Sequence, residues 1–313
     1  MKFDNRVTQM LGVDIPIVQA PMGWIARAPL ASAVSRAGAL GIIETSSGEL
    51  DVIREEIRKM RELTDRPFGV NVAQAFVRDP SIVDFVIEQG VRFVSTSAGN
   101  PQKYTATLKA AGLTVFHVVP TLNAALKAVD AGVDGLIVEG GEGGGFKNHR
   151  DVSTMVLLPL IRARVDVPII AAGGICDGAS MAAAFALGAE GVQMGTRMVS
   201  AAESPVHVGW KNAITSAAET DTVLLKPEGA PALRCIRTPT TEALERDPSQ
   251  AMATLGGHVE DVYFKGEVEK GIALTGQVAG RIDAVEPVAS IIEETVRGFF
   301  DTIGNLGDRY RGQ

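Results

Sequence analysis

Short apolar runs recur along this chain at regular intervals, separated by stretches whose apolar positions repeat every three to four residues. The runs fall at 16–20, 40–44, 68–72, 91–95, 114–118, 135–139, 167–172 and 191–195. Each is apolar almost throughout, the pattern of a strand buried on both faces rather than one wetted at alternate positions. The intervening segments predict helices over 28–37, 50–63, 122–131, 155–165 and 178–187. Eight buried strands alternating with helices predict an α/β fold, a closed (β/α)8 TIM barrel. An open doubly wound sheet would place a glycine fingerprint after its first strand, and Gln19-Ala20-Pro21-Met22-Gly23 contains no G-x-G-x-x-G. A glycine shortly precedes several apolar runs (Gly38, Gly90, Gly132, Gly188), where a helix must stop before the next strand begins.

The rhythm breaks between 200 and 285. Pro227, Pro231, Pro239 and the run around Gly256-Gly257 predict a small, mostly helical insertion after the eighth strand, positioned to act as a lid. A last helix is expected over 287–303. The expected division is 1–200 for the barrel strands and binding site, 201–285 for the insertion, and 286–313 for a C-terminal helix packing back on the barrel.

Composition adds limits. The 313 residues are 46% hydrophobic and 21% charged, ordinary for a globular protein, and α/β barrels routinely use this length as one domain. Cys176 and Cys235 are the two cysteines, too few for a disulfide framework. Neither a signal peptide nor an apolar run long enough to span a bilayer is evident, so a cytoplasmic protein without a membrane partner is expected. A net charge of −7 without a basic run disfavours nucleic acid. The expected partners are a small-molecule substrate and, at most, a second copy in a homodimer.

Candidate chemistry gathers where barrels keep it, at the C-terminal ends of the strands. Ala171-Ala172-Gly173-Gly174-Ile175 ends the seventh strand and Met194-Gly195-Thr196-Arg197 the eighth. Loops after these two strands form the recurring phosphate site of the fold, with exposed backbone N–H groups toward the anion. Two tight glycine turns serving shape alone are the plainer reading; their order, with Thr196 and Arg197 alongside, favours a phosphate-bearing ligand. No H-x-x-x-H or C-x-x-C spacing supports a metal site, and no G-x-S-x-G elbow supports a hydrolase.

Gln19-Ala20-Pro21-Met22-Gly23, Pro67-Phe68-Gly69-Val70-Asn71, the two glycine turns and Thr275-Gly276-Gln277-Val278-Ala279-Gly280 together resemble the nitronate monooxygenase (2-nitropropane dioxygenase) family. That family also holds flavin-dependent enoyl-acyl-carrier-protein reductases, NADH:quinone reductases and relatives in steroid-ring breakdown. The resemblance covers nearly the whole chain and implies a barrel with non-covalent FMN, with NAD(P)H as a candidate electron donor. By match, Met22, Gly23 and Asn71 would lie along the isoalloxazine, with Ala20 and Pro21 also in the cofactor site. Gly173, Gly174, Gly195 and Thr196 would hold the phosphate, and Gln277 would approach the ring.

The loop after the sixth strand, 139–150, should decide the reaction. Its glycines read as a flexible stretch bringing backbone close to a flat ring, with Glu139, Gly144 and Gly145 in the cofactor site. Members of the family usually carry a histidine directly after the last glycines; here Phe146 stands there, and His149 follows three residues later. His149 could reach the same place from a longer loop, or the role could be lost. His117, near the end of the fifth strand, is either a hydrogen-bonded barrel histidine or a catalytic one. Glu142, like Glu139, could bind ribityl hydroxyls or act as a base with a carboxyl perturbed by desolvation. His149, His117 and Glu142 are thus the catalytic candidates. Cys176 sits where a helix begins, yet lacks a neighbouring Cys or His and reads as structural.

Three functions remain open on these grounds. The first is oxidation of alkyl nitronates with O₂ to carbonyl and nitrite. The second is an FMN-dependent reductase or dehydrogenase of enoyl or other acyl (CoA) thioesters, with Lys147, Arg150 and Lys211 meeting a CoA phosphate, or an NAD(P)H:quinone reductase. The third is a non-catalytic barrel binding a phosphorylated ligand.

Overall fold

The computed structural model describes residues 3–310. Its strands are β1 (Ile17–Gln19), β2 (Gly41–Glu44), β3 (Phe68–Ala73), β4 (Phe93–Ser97), β5 (Thr114–Val119), β6 (Gly135–Glu139), β7 (Gly145–Lys147), β8 (Ile169–Ala172), β9 (Gly191–Met194), β10 (Thr222–Leu225) and β11 (Ala232–Ile236). Eight of them pair in parallel in the order β1-β9-β8-β6-β5-β4-β3-β2. A bridge between Val18 and Leu40 brings β1 against β2 and closes the ring. The expected (β/α)8 barrel is present, every strand of the ring falling on one of the apolar runs.

The barrel interior is a packed cluster of Val18, Leu40, Ile42, Phe93, Phe116, Ile137 and Ile170. Phe93 and Phe116 meet edge to face with ring centroids 5.4 Å apart. Gly69 makes room for them, since a Cβ there would stand 2.5 Å from the Phe93 ring. The helix Arg6–Leu11 covers the barrel floor with Val7 and Leu11. A second, larger cluster fills the layer between strands and outer helices. The glycines expected to stop helices do so in left-handed backbone, with φ of 87° at Gly38 and 101° at Gly188, a region that disfavours any residue bearing a Cβ. Asp177 and Ser180 form a reciprocal capping box that starts the helix Gly178–Ala186, and the long final helix Val288–Tyr310 packs on it around Phe185 and Phe299.

The segment after β9 holds helices Val208–Thr215, Pro239–Arg246 and Ala251–Gly257, as its composition suggested. It also holds a feature the sequence reading lacked. β10 and β11 form an antiparallel pair, and β11 pairs in turn with β7, which belongs to the loop after β6. The expected flexible glycine loop is therefore anchored at its C-terminal end as the edge of a three-stranded sheet. Leu233 stands opposite Phe146, and a satellite core of Val223, Leu225, Leu233, Cys235 and Ile272 holds Phe146 from one side.

No helix among the described residues is long and apolar enough to cross a membrane.

Candidate active site

A cavity of about 710 Å³ opens at the C-terminal ends of the barrel strands. Its size is that of a cofactor or small-ligand site. Ala20, Pro21, Met22 and Gly23 line it from the end of β1, Asn71 from β3 and His117 from β5. Glu139, Glu142, Gly144, Gly145 and His149 line it from the segment after β6, and Gly173, Gly174, Gly195 and Thr196 from the ends of β8 and β9. Residues as far apart in sequence as Ala20 and Thr196 so converge on one space.

The two glycine turns are built differently. Gly173 and Gly174 are both left-handed, with φ of 88° and 76°. This double reversal frees the amides of Gly174 and Ile175, which donate to no acceptor among the described residues and border the cavity. Gly195 has an ordinary φ of −103°, so backbone strain does not demand glycine there. Thr196 uses its Oγ1 to accept the amide of Gly276 at 2.9 Å, tying the second turn to the 275–280 stretch. Arg197 does not reach the ligand space; it turns outward to Glu286 and the carbonyl of Ala284.

Gln277 corrects an expectation. Its side chain is exposed and does not line the cavity; the neighbours Gly276 and Val278 do, and the Gln277 amide donates to the carbonyl of Glu142 at 2.9 Å. Gln277 begins a short 3₁₀ turn and its side chain faces solvent.

The catalytic candidates also sort by geometry. Glu142 accepts the amide of Thr154 at 2.9 Å and its hydroxyl at 3.0 Å, at the start of the helix Thr154–Arg162. Ser153 gives that helix no side-chain cap, so Glu142 supplies one from across the loop, a favourable place for a carboxylate. It is a structural cap before it is a base. His149 lies exposed on the rim, its Nε2 2.7 Å from the carbonyl of Ala230. His117 is buried, its Nδ1 2.7 Å from Thr96 Oγ1, and burial lowers its pKa to about 4, so the ring is neutral near pH 7. Glu139 pairs with Lys147.

The cations expected at a CoA phosphate are spoken for or remote. Lys211 is buried and donates to the carbonyls of Ala202 and Ser204 at 3.0 and 2.9 Å, Lys147 pairs with Glu139 at the cavity wall, and Arg150 is exposed. Cys176 is buried and its thiol is pushed up to about 11 by desolvation, an inert position. No group of three metal-ligating side chains occurs among the described residues.

Several lining residues escaped the sequence reading. Trp210, Tyr263 and Leu274 arrive from the segment after β9, with the Trp210 and Tyr263 rings 4.6 Å apart. Ala98 lines the cavity at a φ of 52°, unusual for a residue with a Cβ. Gln193, beside the Met194-Gly195 turn, lines the cavity with its Oε1 buried and unpartnered. Asn71 donates its amide to Ser95 Oγ at 3.0 Å, which leaves its Oδ1 as an acceptor. An amide pair flanked by unpaired backbone N–H groups suits a ligand with a polar heteroaromatic edge and a phosphate.

Comparison with known proteins agrees with this geometry. The family described as nitronate monooxygenase matches over residues 4–81 and 73–298. The chain belongs to the nitronate monooxygenase family. It is a flavin-dependent oxidoreductase acting on a small molecule. FabK from Thermotoga maritima superposes with a TM-score of 0.92 at 40% identity, covering 98% of this chain and 99% of that one. The nitroalkane oxidase of Streptomyces ansochromogenes superposes with a TM-score of 0.83 at 25% identity, over 96% of this chain and 100% of that one. Among curated relatives, the (3aS,4S,5R,7aS)-5-hydroxy-7a-methyl-1-oxo-octahydro-1H-indene-4-carboxyl-CoA dehydrogenase of Rhodococcus jostii (strain RHA1) is 38% identical over 242 residues, 77% of this chain and 68% of its own length. The nitronate monooxygenase of Paraburkholderia phytofirmans (strain DSM 17436 / LMG 22146 / PsJN) is 33% identical over 251 residues, 66% of this chain and 69% of its own length.

Proposed function

We propose that the chain is a cytoplasmic, FMN-dependent oxidoreductase of acyl thioesters, a reductase or dehydrogenase, with NAD(P)H as a candidate electron partner. The observation that carries this reading is the apolar upper wall of the cavity. Phe146 on β7 packs against Phe76 with ring centroids 5.0 Å apart, and Pro231 and Leu274 continue the surface. A nitronate is small and anionic and gains little from such a wall, whereas an acyl chain buries apolar area there at about 25 cal/mol per Å². The names of the CoA dehydrogenase and of FabK support the same class.

The residues present fit FMN. The unpaired amides of Gly174 and Ile175 would receive its phosphate beside Thr196, and the amide side chains of Asn71 and Gln193 would meet the polar edge of the ring. When bound, the flavin supplies the electron transfer, while the protein supplies orientation and excludes water. Met22 and Gly23 would line the ring, and the neutral ring of His117 would remain uncharged against it.

A second reading, nitronate oxidation, is favoured by a different observation. Neither histidine of the cavity is placed as a base: His117 is buried against Thr96, and His149 sits on the rim. A nitronate is already an anion and needs no proton removed.

The test is direct. Flavin-loaded protein is mixed anaerobically with NADH, NADPH and crotonyl-CoA, and separately with propane-2-nitronate and O₂. Flavin absorbance changing with the nicotinamide and recovering with the thioester supports the first reading. Oxygen consumption with nitronate alone, and no spectral response to any thioester, would overturn it.

A further inference from the structure

The ionisable side chains on the cavity wall are His117, Glu139, Glu142, Lys147, His149 and Tyr263. Four of them are engaged or neutral: Glu142 caps a helix, His149 bonds the rim, His117 is held by Thr96, and burial raises the Tyr263 pKa, so it stays a neutral phenol. Lys147 is the one lysine or arginine lining the cavity among the described residues. It is 8% exposed and its ammonium is paired with Glu139. Desolvating such a pair costs about as much as its attraction returns, so the pair is poorly explained as a stabilising device.

Gly143 gives a second, independent observation. Its φ is not left-handed, so the backbone does not require glycine at that position. A Cβ there would stand 2.7 Å from Lys147 Nζ and 2.9 Å from Glu139 Oε1, directly over the pair. Gly143 itself borders the cavity. The missing side chain uncovers the ammonium toward the ligand space. An ammonium has three N–H donors, and a single carboxylate does not exhaust them.

We propose that Lys147, held by Glu139 and uncovered by Gly143, is the group that receives the substrate's oxygen, donating a charge-assisted hydrogen bond to a thioester carbonyl or a nitronate oxygen. This rests on the cavity being the substrate site described above. The anchor takes the end of the glycine loop where Phe146 stands, because β7 holds Phe146 between the satellite core and the cavity and leaves its neighbour Lys147 to pair with Glu139.

The experiment titrates flavin-loaded protein calorimetrically with acetoacetyl-CoA and with propane-2-nitronate. K147M should weaken the probe that wild type binds by about ten- to a hundredfold, the loss expected for a hydrogen bond to a charged group. K147R, which keeps the charge, should recover most of it. The double variant E139Q/K147M avoids leaving an unpaired carboxylate at the cavity wall and should bind as weakly as K147M. G143A, which adds bulk without touching charge, should also weaken binding. Affinity within about twofold of wild type in both K147M and E139Q/K147M overturns the proposal. Nitronate binding that depends on Lys147, with no thioester binding, keeps the anchor and sinks the thioester reading; thioester binding indifferent to Lys147 does the reverse.

Discussion

Gly144 and Gly276 meet backbone to backbone: a Cβ on Gly144 would stand 2.8 Å from the amide nitrogen of Gly276, which itself donates to Thr196 Oγ1 at 2.9 Å. A Cβ on Gly276 would in turn lie 2.9 Å from the Gly144 nitrogen. The loop after β6, the 275–280 stretch and the turn after β9 are thereby coupled through contacts that leave no room for a methyl group. Gly276→Ala should push these segments apart and disturb the turn after β9. Flavin affinity, read by fluorescence titration, should fall by about tenfold or more, the equivalent of one charge-assisted hydrogen bond. Unaltered affinity would show the coupling to be incidental.

The two glycine turns should respond differently to the same substitution. Gly174 is left-handed, so Gly174→Ala should cost about 1–2 kcal/mol of stability even though the nearest atom to its Cβ, on Glu142, is 3.7 Å away. Gly195 has an ordinary φ, and its Cβ would meet Ala20 at 3.6 Å. Gly195→Ala should cost less than about half as much. Urea denaturation of the flavin-free variants measures the difference; equal losses would contradict the backbone argument.

Glu142→Gln separates a cap from a base. As the cap of the helix Thr154–Arg162, losing its charge should lower stability by about 0.5–2 kcal/mol and leave kcat within about threefold. A drop in kcat of about a hundredfold at unchanged stability would instead give Glu142 a proton-transfer role.

His117 makes stability depend on pH. Its folded pKa of about 4 lies below the usual 6.5, because burial disfavours the imidazolium. Between these values the unfolded chain holds the proton and the folded chain does not, so stability is full above pH 6.5 and is lost as pH falls toward 4. From pH 7 to pH 5 the contribution lost is about 2 kcal/mol, at about 1.4 kcal/mol per pH unit. His117→Gln should flatten that decline in urea midpoints; an unchanged slope would place the titration elsewhere.

The barrel was legible in the sequence because a strand buried on both faces must be apolar throughout, and glycines such as Gly38 and Gly188 mark helix ends by a local backbone requirement. The glycine turn after β8 was legible for a similar reason, since Gly173 and Gly174 adopt a conformation that few other residues tolerate. The capping contact of Glu142 was not legible because a carboxylate reads alike as base or cap until Thr154 is seen beside it, nor was the outward side chain of Gln277, because a motif match does not say which way a side chain faces.

The sequence by itself determined the fold class, the end of the barrel that carries the cavity and the glycine turns that border it, all properties set by periodicity and local backbone preference. Only the tertiary structure decided which polar groups remain free. The pairing of β7 with β11, across 85 or more residues, turns a glycine run into a sheet edge and sets both Phe146 and Lys147 at the cavity. That outcome depends on long-range hydrogen bonds and on which charges find partners, and neither is encoded in the spacing of residues along the chain.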